Sequence, residues 1–144
     1  MRLEFRKCLD KRKISRFPSG PKLARKELRS ALSDLEDSRI GLATGRSKWP
    51  TIQAYYAMYH AARALVYSKG FREHSHYCLM VALQELYVDQ GQLEPEYIDA
   101  FFGAMKLRES ADYRDEYSSE KAVIILKKAE EFINKATRIL LKIT

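Results

Sequence analysis

The chain has 144 residues, 46% of them hydrophobic and 31% charged, and carries a formal net charge of +7. That length and balance suit a single globular domain that buries its core without needing disulfides. The longest uncharged run, Trp49 to Ala62, is too short and too polar to cross a bilayer, so no membrane partner is expected.

The charge is unevenly placed. Residues 1–29 hold 11 Lys and Arg against three acids, Glu4, Asp10 and Glu27, whereas residues 30–144 hold 15 against 16. So basic a segment attracts polyanions, nucleic acid first, through phosphate contacts and counterion release. The plainer reading is a solvated tail, or an arm docked on an acidic protein surface. No apolar stretch with a small-residue cleavage site follows the N-terminus, so it is not a secretory signal and a cytoplasmic location is expected.

Residues 1–19 read as a basic N-terminal arm, closed by the breaker cluster Phe17-Pro18-Ser19-Gly20-Pro21. Residues 20–144 read as a helical bundle. From Lys22, Leu28, Leu32, Leu35 and Leu42 recur at steps of three, four and seven, marking an amphipathic helix that ends near Gly45. Pro50 suits the first turn of a second helix, which runs to Lys69 and stops at Gly70. Ser75 or His76 begins a third, with Leu79, Leu83 and Leu86 facing inward, ending at Gly91. Pro95 opens a fourth through Ile98, Phe101, Phe102, Met105 and Leu107. Ser118 or Ser119 caps a fifth, in which Val123, Leu126, Phe132, Ile133, Ala136 and Leu140 keep helical spacing. No segment alternates with period 2 for long enough to suggest a strand. The expectation is an all-α fold, an antiparallel up-and-down bundle of four to five helices with short loops.

Three stretches carry the residue types that do chemistry. In the second helix Tyr55, Tyr56, Tyr59 and Arg63 line neighbouring faces, with small alanines between them. An aromatic core stripe is the plain reading. The functional ones are a self-association face and a stacking surface for bases. The loop Gly70 to His76 contains Arg72, His74 and His76, and histidine can move protons near neutral pH. Its plain reading is that Ser75 caps the next helix while one histidine bonds across the bundle. At the end of the fourth helix, Arg108 and Asp112 are four residues apart on one face, with Tyr113 beside them. A salt bridge is the default, but an arginine there can also hold a phosphate by its two-pronged fork. Cys8 and Cys78 are two lone thiols, expected to be reduced, although a bond between them stays open. No zinc pattern forms from them with the histidines, and neither a metal nor a cofactor is expected.

Taken in order, FRKCL (Phe5–Leu9), AYYAMYHAARALVYSKGFREHSHYCL (Ala54–Leu79), LRESADYRDEY (Leu107–Tyr117) and KAEEFI (Lys128–Ile133) resemble the HEPN family over nearly the whole chain. The resemblance implies a homodimer of helical bundles with a composite polar site where the protomers meet. Many family members are toxins that cut RNA without metal, paired with a minimal nucleotidyltransferase. Their arginine would stabilise phosphate charge, and a histidine after four to six intervening residues would serve in acid–base cleavage through the ribose 2′-hydroxyl. The matching arginine is Arg108, but the positions where histidine would fall hold Tyr113, Arg114 and Asp115, and no histidine follows His76. The motif is broken.

The expected function is therefore a dimeric nucleotide- or RNA-binding module acting with a minimal nucleotidyltransferase in a toxin–antitoxin-type pair. Its site would comprise Arg108, Asp112, Tyr113, Arg72 and His76, and its dimer face Tyr55, Tyr56, Tyr59 and Arg63. One alternative is a metal-independent ribonuclease using Arg108 with His74 or His76. Another is a helical scaffold in which every such feature is packing. Tyr113, standing where the family places histidine, is also a candidate for nucleotide modification by the partner.

Overall fold

The computed structural model describes residues 1–143, with side chains through Lys142. Its helices are α1 (Leu3–Asp10), α2 (Gly20–Ala43), α3 (Lys48–Ser68), α4 (His76–Leu83), α5 (Glu96–Tyr113) and α6 (Ser119–Ile143). Two short strands, β1 (Ile14–Arg16) and β2 (Phe71–Glu73), are the other regular elements, apart from a π-helical turn, Gln84–Val88, that prolongs α4. The all-α expectation holds, and α2 to α6 fall where spacing and breakers place five helices.

The centre of the molecule is α3. A helix that is apolar on nearly every side must be enclosed, and the run of Ala and Tyr from Ala54 to Tyr67 has that composition. Tyr55, Met58 and Leu65 have no exposed surface. Around α3 lie α2, α5 and α6. The approach of α2 depends on two glycines. A Cβ on Gly20 would clash with the Tyr67 carbonyl oxygen, and one on Gly41 would stand 2.9 Å from Pro50 Cγ. Ile125, Ala129, Phe132, Ile133 and Ala136 of α6 are buried at steps of three and four. Ser75 caps α4 as its sequence position suggests, its Oγ accepting from the Cys78 amide at 3.1 Å.

Residues 1–19 fold against the bundle. Phe5 and Cys8 of α1 and Ile14 of β1 are buried, while Lys7, Lys11, Arg12 and Lys13 stay on the surface. Arg2 pairs with Asp89 at 2.8 Å. Antiparallel to β2, β1 sets Ile14 opposite Glu73, Ser15 opposite Arg72 and Arg16 opposite Phe71. Three-residue strands are too short to leave an alternating pattern in sequence, so this sheet has no sequence signal. Cys8 and Cys78 form a disulfide, with their Cα atoms 6.0 Å apart. This corrects the expectation of two reduced thiols. The packing of α1 on α4 joins residues 70 apart in the chain, and spacing alone holds no trace of that.

Candidate functional site

Arg108 enters the site from α5. The residue is 5% exposed, and its guanidinium carbon lies 5.0 Å from the Tyr55 ring centre, 5.8 Å from Tyr56 and 5.4 Å from Tyr113. Three aromatic faces thus surround one cation, each attracting it through the ring quadrupole. Nη1 donates to the Tyr113 hydroxyl at 3.1 Å, and Asp112 Oδ2 stands 3.7 Å away, one helical turn along. Nε is buried with no hydrogen-bond partner among the described residues. Tyr113 itself is 73% exposed, so the group covering Arg108 is a side chain at the surface.

Tyr55 connects this arginine to a histidine. The Tyr55 hydroxyl lies 2.5 Å from His76 Nδ1, and the two rings run nearly parallel, 13° apart. Burial raises the phenol's pKa above its ordinary value, so the hydroxyl keeps its proton at neutral pH and either donates to Nδ1 or accepts from it, according to the imidazole tautomer. A neutral imidazole carries its proton on one ring nitrogen and accepts at the other. Burial, and after it the charge of Arg108, push the His76 pKa down, while Glu73 works in the opposite direction. His76 is therefore chiefly a neutral imidazole at pH 7.

Beyond His76 is a closed ion-pair network. Tyr59, whose ring centre is 4.6 Å from that of His76, donates its hydroxyl to Glu73 Oε2. Arg63 reaches the same carboxylate with both prongs, Nε to Oε1 at 3.2 Å and Nη2 to Oε2 at 2.8 Å. Glu73 is 3% exposed, and a buried carboxylate needs this degree of pairing. On the outer side His60 Nδ1 meets Glu27 Oε2 at 2.7 Å, and Nε2 stands 3.6 Å from Asp34 Oδ2. Sequence reasoning misses Glu27, Asp34, His60 and Glu73. The one clue is an acid in a three-residue strand near an aromatic helix that carries an arginine, too weak to act on.

Of the expected site residues, Arg108 and His76 both meet Tyr55, and Asp112 and Tyr113 flank Arg108. Arg72 and His74 are engaged elsewhere. Arg72 is stacked on Phe17 at 5.0 Å, and His74 Nε2 is 3.1 Å from Ser15 Oγ. Of the expected dimer face, Tyr55 is fully enclosed and Tyr59 is 7% exposed, so neither phenol ring is open to a second copy. Tyr56 and Arg63 keep some surface. Among the described residues no cluster of His, Cys, Asp and Glu is arranged to hold a metal ion, and no helix is long and apolar enough to cross a membrane.

Comparison with known proteins agrees with this architecture. The HEPN domain model matches residues 24–140. A UPF0332 protein of Archaeoglobus fulgidus is 32% identical over 111 residues, 76% of this chain and 88% of its own. The candidate toxin MJ0605 of Methanocaldococcus jannaschii is 30% identical over 92 residues, 63% of this chain and 69% of its own. Among solved structures, TT1696 from Thermus thermophilus superposes with a TM-score of 0.69 over 81% of this chain and 97% of that one; at 19% identity the likeness is one of fold. With a match spanning most of its length, this chain belongs to the HEPN family.

Proposed function

We propose that this protein is a dimeric HEPN module that binds RNA or a nucleotide at Arg108, Asp112, Tyr113 and His76, and that it acts with a minimal nucleotidyltransferase in a toxin–antitoxin-type pair. One observation carries the reading. Arg108 and His76 come from different helices and meet the same phenol, Tyr55. Arg108 Nε has no bond to give up, and the exposed Tyr113 is the lid that a phosphate would displace. A guanidinium so placed offers a ready fork to a phosphate. The likeness to a candidate toxin supports the assignment to such a pair.

A second reading is cleavage. In the tautomer that donates Nδ1–H to the Tyr55 oxygen, a neutral His76 has Nε2 free to take the 2′-hydroxyl proton of a ribose while Arg108 offsets charge on the adjacent phosphate. That pairing would replace the broken Arg-x4-6-His motif with one assembled in space.

The test is a labelled single-stranded RNA with the purified protein in chelator, followed by anisotropy for binding and by gel for cleavage. Binding that Arg108→Ala abolishes, with RNA left intact, is the expected result. Cleavage lost in both Arg108→Ala and His76→Ala would move the conclusion to the ribonuclease. An RNA neither bound nor cut, with ATP and GTP also unbound, would overturn both. Co-expression with a minimal nucleotidyltransferase, followed by mass spectrometry, tests Tyr113 as a modified residue; no added nucleotide would remove that role.

A further inference from the structure

At the turn between α2 and α3 lies a recess of about 460 Å³, lined chiefly by Asp37, Ile40, Thr44, Arg46, Trp49 and Gln53. Nothing in the site above uses it. Trp49 is the only tryptophan of the chain, and it is 55% exposed in the first turn of α3; Ile40, across the recess on α2, is 54% exposed. A large aromatic ring kept at the surface beside a polar recess is poor core packing, but it makes a stacking platform.

The charges around the ring are sorted. Asp37 would repel a phosphate but would accept an N–H from the edge of a base, and the Gln53 amide can donate or accept beside it. The cations stand around them: Arg46 lines the recess, and Lys48 Nζ lies 5.7 Å from the centre of the Trp49 indole. Lys48 also pairs with Asp115 at 3.2 Å. Asp115 is two residues beyond Tyr113, in a loop fixed by the bond from the Glu116 amide to the Ser110 carbonyl at 2.8 Å. One lysine therefore ties the recess to the loop that begins with the lid of Arg108, and the exposed Arg114 lies between them in sequence.

We propose that this recess is a base-stacking subsite for single-stranded RNA, in which an unstacked base lies on Trp49 with its polar edge toward Asp37 and Gln53. The flanking phosphates run past Arg46, Lys48 and Arg114 toward Arg108. The subsite rests on the reading of the Arg108 centre as an RNA site, and it names the form of RNA that the centre receives. Stacking on an aromatic side chain tolerates any base, so affinity would depend on single-strandedness and length more than on sequence.

The lone tryptophan makes the test direct, because all indole emission comes from Trp49. A labelled 12-nucleotide single-stranded oligoadenylate is titrated into the protein while anisotropy and tryptophan emission are both recorded. The two signals are expected to change with the same midpoint. Trp49→Ala should weaken binding by about five-fold or more, with Trp49→Phe recovering part of it, and the melting temperature should stay close to that of the parent because the ring is exposed. RNA bound in an Arg108-dependent way, with tryptophan emission unchanged and Trp49→Ala binding normally, would overturn the subsite and leave the Arg108 site standing. No anisotropy change with the unaltered protein would overturn the subsite and the reading of the Arg108 centre as an RNA site.

Discussion

Two arginines face the aromatic stripe of α3, and they are handled in opposite ways. Arg63 spends both prongs of its fork on one buried carboxylate, Glu73, which also receives the Tyr59 hydroxyl. Arg108 has tyrosine faces, one surface hydroxyl and a carboxylate at 3.7 Å, and its Nε bonds to none of the described residues. The first cation is saturated by the fold itself. The second keeps hydrogen-bonding capacity that nothing described in the chain uses. Counting arginines near aromatics would rank them alike, and only their partners separate a structural charge from a binding one.

The same substitution at each position breaks the comparison most cleanly. Arg63→Met should be the costlier change, because it strands the Glu73 carboxylate out of water. A loss of about 3 kcal/mol, read as a shifted urea midpoint, is expected. Arg108→Met leaves no buried carboxylate behind and forfeits mainly its contacts with the rings, so about 1 kcal/mol is expected. In RNA binding the order reverses: Arg108→Met should lose ten-fold or more in affinity, and Arg63→Met little beyond its effect on folding. Equal stability losses at the two sites would show that the pairing with Glu73 does not distinguish them.

His76 sharpens the contrast through pH. Its folded pKa lies below the usual 6.5, so the unfolded chain binds the extra proton and stability falls as pH drops from that value toward the lower, folded one. The melting temperature of the parent should therefore decline through this interval, and His76→Gln should lessen the slope. A slope unchanged by the substitution would point to other groups. The smallest effect belongs to Tyr113→Phe. Removing one exposed hydroxyl should cost a few tenths of a kcal/mol at most, while the loosened lid should leave RNA binding intact or tighter.

Much of the fold can be read from sequence because its signals are local. Leu28, Leu32 and Leu35 lie within one helix, and Gly45, Gly70 and Gly91, all at positive φ, end helices where glycine is the residue that fits. The arm cannot be read that way. Ile14 finds its partner 59 residues on at Glu73, and Cys8 finds Cys78, so those pairings exist only once α4 is in place. The site is half legible. Arg108, Asp112 and Tyr113 are neighbours on one helix. The approach of His76 requires Tyr55 as intermediary, and no spacing rule reports a shared phenol. The tyrosines of α3 read from sequence as core or as interface, and burial assigns Tyr55 and Tyr59 to the core. Trp49 has a visible signal, a lone tryptophan between Lys48 and Pro50, but its value depends on a recess that only the α2–α3 turn creates.

The bond between Cys8 and Cys78 closes the intervening chain, with all of α2 and α3, into a covalent ring. A ring differs from a line in what a single cut does to it. A protease opening the exposed Gly45-Arg46 turn would give two polypeptides that still migrate as one species on a gel until a thiol is added. The hairpin that carries the Trp49 recess would thus survive a nick as a held part of the molecule. In the reduced protein the same nick would leave a fragment of 45 or so residues with no covalent tie to the rest, and that fragment bears most of the excess positive charge of the chain.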